Sequence, residues 1–418
     1  MDRIVIQGGA SLSGELKVSG SKNSALALMA GALLGDGETR LRNVPRLRDV
    51  EAMVELLAAL GARVRWSDED LHTLTIDPNA VNRPEAPYEL VRKMRASFMV
   101  LGPLVGRFGM GRVSEPGGCA IGVRPVDQHM KGLEALGAKV RLDHGTIEAS
   151  ASRLRGGRVR FDLVTVNGTQ NVLMAACLAS GETVLENAAR EPEVVELAEF
   201  LCRMGAEIHG AGSDCIVVRG VSSLRPLSHA VAGDRIEAGT LLAAAAATRG
   251  SVRLVGIDSA TLESTVEALR AAGADIVTGP DELHLRGVEL RGTDVVTAPF
   301  PGFPTDMQAQ LMALLSMARG SSVITETVFE NRFMHVPELI RMGADIRLQG
   351  RSAHVRGVPT LEGAPVMATD LRASACLIVA GLAARGETIV NRVYHIDRGY
   401  EHIEQKLASL GATIRREG

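Results

Sequence analysis

Between Glu115 and Asp127 the chain reads Pro116-Gly117-Gly118-Cys119-Ala120-Ile121-Gly122-Val123-Arg124-Pro125-Val126. Gly and Pro at this density break both helix and regular strand, so the segment is expected to be a loop. The thiol it carries has a guanidinium five residues further on, at Arg124. A fixed positive charge beside sulfur favours the thiolate over the thiol and makes a cysteine reactive. The commoner fate of an unpaired cysteine is burial as a small hydrophobe. Neither Gly117-Gly118 nor Ala120-Ile121-Gly122 supplies the apolar periodicity that burial would need. The other four cysteines read differently. Cys177, Cys202 and Cys376 sit in apolar helical runs and Cys215 precedes the strand-like Ile216-Val217-Val218, so all four are expected to be structural. An odd count of five with no CxxC spacing fits a reducing compartment and offers neither a disulfide framework nor a zinc site.

A second set of residues recurs where helical patterns begin. The openings are Ser21-Lys22-Asn23-Ser24, Met94-Arg95-Ala96-Ser97, Gly168-Thr169-Gln170-Asn171, Arg235-Ile236-Glu237, Pro304-Thr305-Asp306-Met307-Gln308 and Thr369-Asp370-Leu371-Arg372-Ala373-Ser374. Unpaired N–H groups and the positive end of the dipole make a helix N-terminus attractive to anions. Ser, Thr and Asp at such positions also serve as plain caps. Capping does not account for Lys22, Arg95 or Arg372, because a cation there opposes the dipole. Their placement points to an anionic ligand of several charges.

The elements that position these residues follow from a repeat. A Leu/Met/Ala-Gly-Ala word followed by a strand-like segment recurs with its glycine at positions 61, 137, 205, 273, 343 and 411, intervals of 76, 68, 68, 70 and 68 residues. Six copies at so regular a period mean one supersecondary unit used six times. In each, an apolar-periodic helix such as Val50 to Leu60 stops at the glycine and a β-branched strand follows. Upstream lies a second helix closed by a turn such as Gly37-Glu38-Thr39 or Gly181-Glu182-Thr183, then a strand. Strands alternating with helices predict βαβ-type units of an α/β protein. The period allows either an open solenoid or two closed groups of three.

Composition narrows the partners. Formal net charge is -3 and the pI is near 6.4, so nothing draws the chain as a whole to nucleic acid or an anionic membrane. Aromatic residues are only 3%, leaving few platforms for stacking bases. The chain enters a strand at Arg3-Ile4-Val5-Ile6 without a signal-peptide pattern, and stretches such as Leu241 to Thr248 are too short to span a bilayer. The expectation is a cytoplasmic protein with no nucleic-acid or membrane partner.

Several of these segments, with others, carry a family resemblance. Ser19-Gly20-Ser21-Lys22-Asn23, Met94-Arg95-Ala96-Ser97, Pro116-Gly117-Gly118-Cys119 with Arg124-Pro125-Val126-Asp127-Gln128-His129, Glu186-Asn187-Ala188-Ala189-Arg190-Glu191-Pro192-Glu193, Asp234-Arg235-Ile236-Glu237, Phe303-Pro304-Thr305-Asp306-Met307-Gln308, Thr325-Glu326-Thr327-Val328-Phe329-Glu330-Asn331-Arg332-Phe333-Met334, Thr369-Asp370-Leu371-Arg372-Ala373-Ser374 and Asp397-Arg398-Gly399-Tyr400-Glu401 resemble the UDP-N-acetylglucosamine 1-carboxyvinyltransferase family, the enolpyruvyl transferases that open peptidoglycan synthesis. The resemblance covers the whole chain and draws motifs from each repeat. It implies two inside-out α/β domains, each of three units around a pseudo-threefold axis. One would comprise residues 1–20 plus 232–418 and the other residues 21–231, with the active site in the cleft between.

The reaction implied is transfer of the enolpyruvyl group of phosphoenolpyruvate to the 3'-hydroxyl of UDP-N-acetylglucosamine, with release of phosphate. Such chemistry needs an acid for the methylene carbon, a base for the hydroxyl, and cations for phosphate and carboxylate. By the resemblance Cys119 matches the acid, which also forms a covalent adduct at C2, and Asp306 matches the base. Lys22, Arg124 and Arg398 match the phosphoenolpyruvate clamp, with Arg372 and Arg332 nearby. Asn23, Arg95, the run Arg124, Pro125, Val126, Asp127 and Gln128, the run Thr165, Val166 and Asn167, and Val328 match contacts to the sugar nucleotide. No metal or organic cofactor is implied. The chain departs from the pattern at Leu163, where many relatives carry a lysine facing the diphosphate, and at Met99, where some carry tryptophan. The shikimate-pathway enolpyruvyl transferase shares fold and donor but lacks a Cys loop of this kind. A catalytically silent UDP-sugar-binding copy would tolerate loss of Cys119, Asp306, Lys22, Arg124 or Arg398, and all five are present. A helical-repeat scaffold would leave the cations at helix starts unexplained.

Overall fold

The computed structural model describes residues 2–115 and 126–418. These form two compact units, a terminal unit of residues 2–19 and 233–418 and a middle unit of residues 20–115 and 126–232. Each is built around three inner helices. In the middle unit these are α1 (Lys22–Gly31), α2 (Leu101–Phe108) and α3 (Val166–Ala176). In the terminal unit they are α4 (Arg235–Ala247), α5 (Gln308–Leu315) and α6 (Leu371–Ala383). Beyond their second turn they are apolar, and Arg107 near the end of α2 is the charged residue that interrupts this, while every residue of α4 from Ile236 to Ala247 is buried. A helix that is apolar all round must be enclosed. Accordingly α4, α5 and α6 pack on one another at the centre of their unit.

The helices that precede the repeated glycines are amphipathic instead. In Arg48–Leu60 the side chains of Val50, Met53, Leu56, Leu57 and Leu60 are buried while Glu55 and Ala59 face water. That spacing lays one stripe against the core. The glycines at 61, 137, 205, 273, 343 and 411 all have φ between 86° and 114°. An L-side chain is strained in this left-handed conformation, which turns the chain sharply out of the helix into the next strand.

Among the described residues strands form the outer layer as six sheets of four, three in each unit. In each sheet one pair is parallel and two are antiparallel. One sheet runs Arg158–Arg160, Glu182–Glu186, Cys215–Arg219, Glu207–His209, with α3 crossing between the two parallel strands. The repeating unit is therefore βαβαββ: the two helices and the strand after each are those expected from sequence, and a further strand pairs with the last of them as a terminal hairpin. Three sheets borrow a strand from elsewhere in the chain. Ser228–Ala230 pairs with Thr39–Arg42, Ser13–Lys17 pairs with Ser251–Val255, and Arg3–Gln7 lies between Glu387–Asn391 and Thr413–Glu417. Such borrowing closes each group of three on itself, where a solenoid would leave its ends open. Each unit has its own hydrophobic core. Among the described residues no helix is long and apolar enough to cross a membrane.

Candidate active site

Asp306 stands in the single turn Thr305–Met307 that leads into α5. A plain cap would fold its carboxylate onto the N–H groups of that turn or helix, but neither has a side-chain cap. Instead Oδ1 receives Arg332 Nη2 at 2.6 Å and Oδ2 receives Arg372 Nη2 at 2.8 Å. The two arginine side chains are 7% and 6% exposed and the aspartate 27%, so the acid is the member of the triplet that a ligand can reach. Burial opposes the charge on Arg372, yet Asp306, Tyr400 and Asp234 outweigh it and hold its pKa above the ordinary value. A cation at the start of α6 is thus stabilised by carboxylates of the protein itself.

A buried hydroxyl network fixes this triplet from behind. Arg372 Nη1 donates to Tyr400 Oη at 3.0 Å, and that phenol lies 2.8 Å from Thr240 Oγ1. Gln310 Nε2 reaches Tyr400 Oη at 3.3 Å, Thr240 Oγ1 at 3.1 Å and the carbonyl of Asp306 at 2.9 Å. Burial raises the Tyr400 pKa, so the phenol stays neutral and can both donate and accept. Arg398 closes the short helix Val393–Arg398 and is half-buried. Its neighbours are fixed on both sides: Asp397 accepts Arg416 Nη1 and Nη2 at 3.1 and 2.6 Å, and Tyr400 is held by Arg372. Gly399 between them allows a close approach, since an added Cβ would lie 2.6 Å from Leu371 Cδ2.

The middle unit holds a second cluster. Lys22 begins α1, with Nζ 3.6 Å from Asp49 Oδ2 and both side chains mostly buried. Asn23 follows, half-buried. Arg95 opens the short helix Arg95–Val100 near His129, which is buried in the helix Asp127–Ala135. Burial first, and then the charge of Arg95, push the His129 pKa down to about 3 against the opposing pull of Asp127. The neutral ring therefore accepts Asn171 Nδ2 on Nδ1 at 2.9 Å and sets its edge against Phe98, with centroids 4.9 Å apart. Gln128 bridges two acids: Nε2 donates to Asp127 Oδ2 at 2.8 Å and to Asp162 Oδ2 at 3.1 Å, while its carbonyl accepts from Asp162 N at 2.9 Å. Val126 is buried just ahead of this helix. Thr165 caps α3 by accepting from Gly168 N at 3.2 Å, which places Val166 and Asn167 in its first turn. Leu163, at the position of the departure noted above, is half-exposed.

The structure thus gathers Asp306, Arg332 and Arg372 in one unit and places Lys22, Asn23, Arg95, Asp127, Gln128, Thr165, Val166 and Asn167 in the other. Val328 is partly exposed beyond the strand Ser321–Thr325. Cys119, Arg124 and Pro125 lie outside the described residues. Side-chain capping is confirmed at α1, α3, α4 and α6 through Ser21, Thr165, Asp234 and Asp370. Because Lys22 and Arg372 have acidic partners in the protein, their charge at a helix start does not by itself require an anionic ligand. Two cysteines also depart from expectation. Cys177 and Cys376 are buried, with thiol pKa values pushed up by burial, but Cys202 and Cys215 are exposed. An apolar run identifies a helix without saying which of its residues faces out. Tyr400, His129, Asn171 and Gln310 were not singled out as site residues, although Tyr400 falls inside Asp397-Arg398-Gly399-Tyr400-Glu401. Among the described residues no group of three or more His, Cys, Asp or Glu is arranged to hold a metal ion.

Comparisons agree with this architecture. The profile of EPSP synthase (3-phosphoshikimate 1-carboxyvinyltransferase) matches residues 6–407. The enolpyruvyl transferase NikO from Streptomyces tendae has the same fold, with a TM-score of 0.89 at 28% identity over 99% of this chain and 98% of that one. EPSP synthase from Acinetobacter baumannii shares the fold at a TM-score of 0.78 and 18% identity, with both chains fully covered. The fold is that of the enolpyruvyl transferases. Two sequence relatives named UDP-N-acetylglucosamine 1-carboxyvinyltransferase are far more similar. That of Anaeromyxobacter sp. (strain Fw109-5) is 59% identical over 420 residues and that of Myxococcus xanthus (strain DK1622) 56% over 418, each covering all of both chains. The chain belongs to the UDP-N-acetylglucosamine 1-carboxyvinyltransferase family.

Proposed function

We propose that this enzyme transfers the enolpyruvyl group of phosphoenolpyruvate to the 3'-hydroxyl of UDP-N-acetylglucosamine, releasing phosphate, in the cytoplasm. The observation that carries this reading is the 59% identity over the full length to a relative of that name. In the addition step the sugar hydroxyl oxygen bonds to C2 while C3 takes a proton. In the elimination step the C2–O bond to phosphate breaks and C3 gives a proton back. Asp306, reachable and bracketed by Arg332 and Arg372, is the base that takes the hydroxyl proton. Cys119 is the acid at C3 and the nucleophile of a covalent adduct at C2. Lys22, Arg124 and Arg398 bind the anionic donor. Asn23, Arg95, the run from Arg124 to Gln128, the run from Thr165 to Asn167, and Val328 bind the sugar nucleotide.

Phosphate release from phosphoenolpyruvate tests the reading, with UDP-N-acetylglucosamine and shikimate 3-phosphate offered in parallel. Release is expected only with the nucleotide sugar, and Cys119→Ala should abolish it. Release with shikimate 3-phosphate alone would replace the acceptor.

A further inference from the structure

Glu326 is fully buried at the end of the strand Ser321–Thr325, yet four donors converge on its carboxylate. Oε1 accepts from Thr297 Oγ1 at 2.8 Å, from Val328 N at 2.8 Å and from Phe329 N at 3.0 Å. Oε2 accepts from Thr305 Oγ1 at 2.8 Å. The contacts on Oε1 shape the turn that carries Val328. The contact on Oε2 does something else. Thr305 precedes Asp306, and its oxygen accepts Arg332 Nη1 at 2.9 Å while Arg332 Nη2 holds Asp306 Oδ1 at 2.6 Å.

A hydroxyl has one proton, and a guanidinium can only donate, so while Arg332 Nη1 donates to Thr305 Oγ1 the Thr305 proton points to Glu326 Oε2. Glu326 accepts that proton and so keeps a lone pair of Thr305 turned to Arg332. We infer that Glu326 is a positioning residue for the transfer reaction, setting the Thr305 hydroxyl so that Arg332, and through it Asp306, is held in one orientation. One side chain thereby ties the orientation of the base to the turn bearing Val328. The inference rests on the proposed role of Asp306.

Glu326→Ala is the wrong probe, because four donors left without an acceptor endanger the fold. Glu326→Gln keeps the shape. Its carbonyl takes the crowded Oε1 place and its NH2 group the Oε2 place, where it donates to Thr305 and turns the hydroxyl proton toward Arg332. Glu326→Gln should lower kcat about 10-fold or more, as misplacement of a reacting group does, while the Kd for UDP-N-acetylglucosamine by calorimetry changes no more than a few-fold. Thr305→Val should behave alike, Thr305→Ser should restore turnover, and the double variant should be no worse than either single one, as for residues acting as a unit. An unchanged kcat in Glu326→Gln, a loss confined to nucleotide affinity, or additive losses in the double variant would overturn the inference. If the wild-type enzyme releases no phosphate with UDP-N-acetylglucosamine, the substrate reading fails separately. The same pair of substitutions followed by urea unfolding then decides: coupled effects on stability support the link from Glu326 to Thr305, and strictly additive ones overturn it.

Discussion

Asp306 offers one oxygen to each of two arginines, and each carboxylate oxygen carries two lone pairs. In Asp306→Asn the amide NH2 must face a guanidinium, and no proton can be taken from the sugar. We expect this variant to fold, to bind UDP-N-acetylglucosamine within a few-fold, and to lose on the order of 100-fold or more in kcat. Arg398→Ala should instead weaken phosphoenolpyruvate, because it removes a charge-assisted contact to an anion. Calorimetry with steady-state kinetics distinguishes the two patterns, and an Asp306→Asn enzyme with full turnover would remove the base from its role. Much of this cluster was legible in the sequence, since Asp306, Arg332 and Arg372 all lie in recognisable motifs. Their mutual pairing was not. Arg332 and Arg372 come from different repeats, and only the closing of three repeats about one centre brings both to one carboxylate. Glu326 and Tyr400 were overlooked for a related reason: Glu326 is met by hydroxyls and main-chain N–H groups, and Tyr400 by Thr240, Gln310 and Arg372 from separate repeats, none of which sequence spacing marks.

At the scale of elements, the repeated glycine was the clearest signal in the chain, and it marks a helix stop in all six copies. The copies are not equally demanding. At Gly343 (φ 93°) an added Cβ would meet nothing within 4 Å, whereas at Gly273 (φ 101°) it would lie 1.9 Å from the carbonyl oxygen of Glu289. Gly343→Ala should therefore cost only the strain of a left-handed residue, about 1 kcal/mol. Gly273→Ala must also displace main chain and should be clearly worse by urea unfolding. Equal losses would show that the turn after Arg270 is softer than its packing implies. The first strand of each terminal hairpin is legible, since it follows the glycine word at once, but the second strand recurs without a shared word of its own, and only Ile216-Val217-Val218 stands out as strand-like. The helix Asp127–Ala135 carries a pH dependence as well. Folded His129 resists protonation down to about pH 3, whereas in the unfolded chain the ring protonates near its ordinary 6.5. Below 6.5 the unfolded state takes up a proton that the folded state refuses, so this contribution is complete above 6.5 and is lost as pH falls toward 3. His335, lowered to about 4 chiefly by burial, acts with the same sign. Each contributes at most about 1.4 kcal/mol per pH unit in that window. His129→Gln should flatten the acid limb of stability against pH, and an unchanged slope would mean that the ring is accessible to protons.

Across the whole molecule, the placing of Arg3–Gln7 between Glu387–Asn391 and Thr413–Glu417 has a consequence for biosynthesis. Arg3–Gln7 leaves the ribosome long before the two strands between which it belongs. At 5–20 residues per second the wait is roughly 20–80 s. Throughout that interval Ile4, Val5 and Ile6, all buried in the finished protein, have no native partner. Unpaired apolar strands of this kind recruit one another and seed aggregation. Residues 20–232 face no such delay, since the strand Ser228–Ala230 that completes their sheets emerges with them. Ribosome-bound chains arrested near residue 300 should therefore show protease resistance across the middle unit while the segment before Gly20 is still cut, and chaperones that shield extended apolar strands should crosslink to residues 3–7 until Thr413–Glu417 has emerged. Early protection of that strand would mean that it finds a temporary partner within the nascent chain.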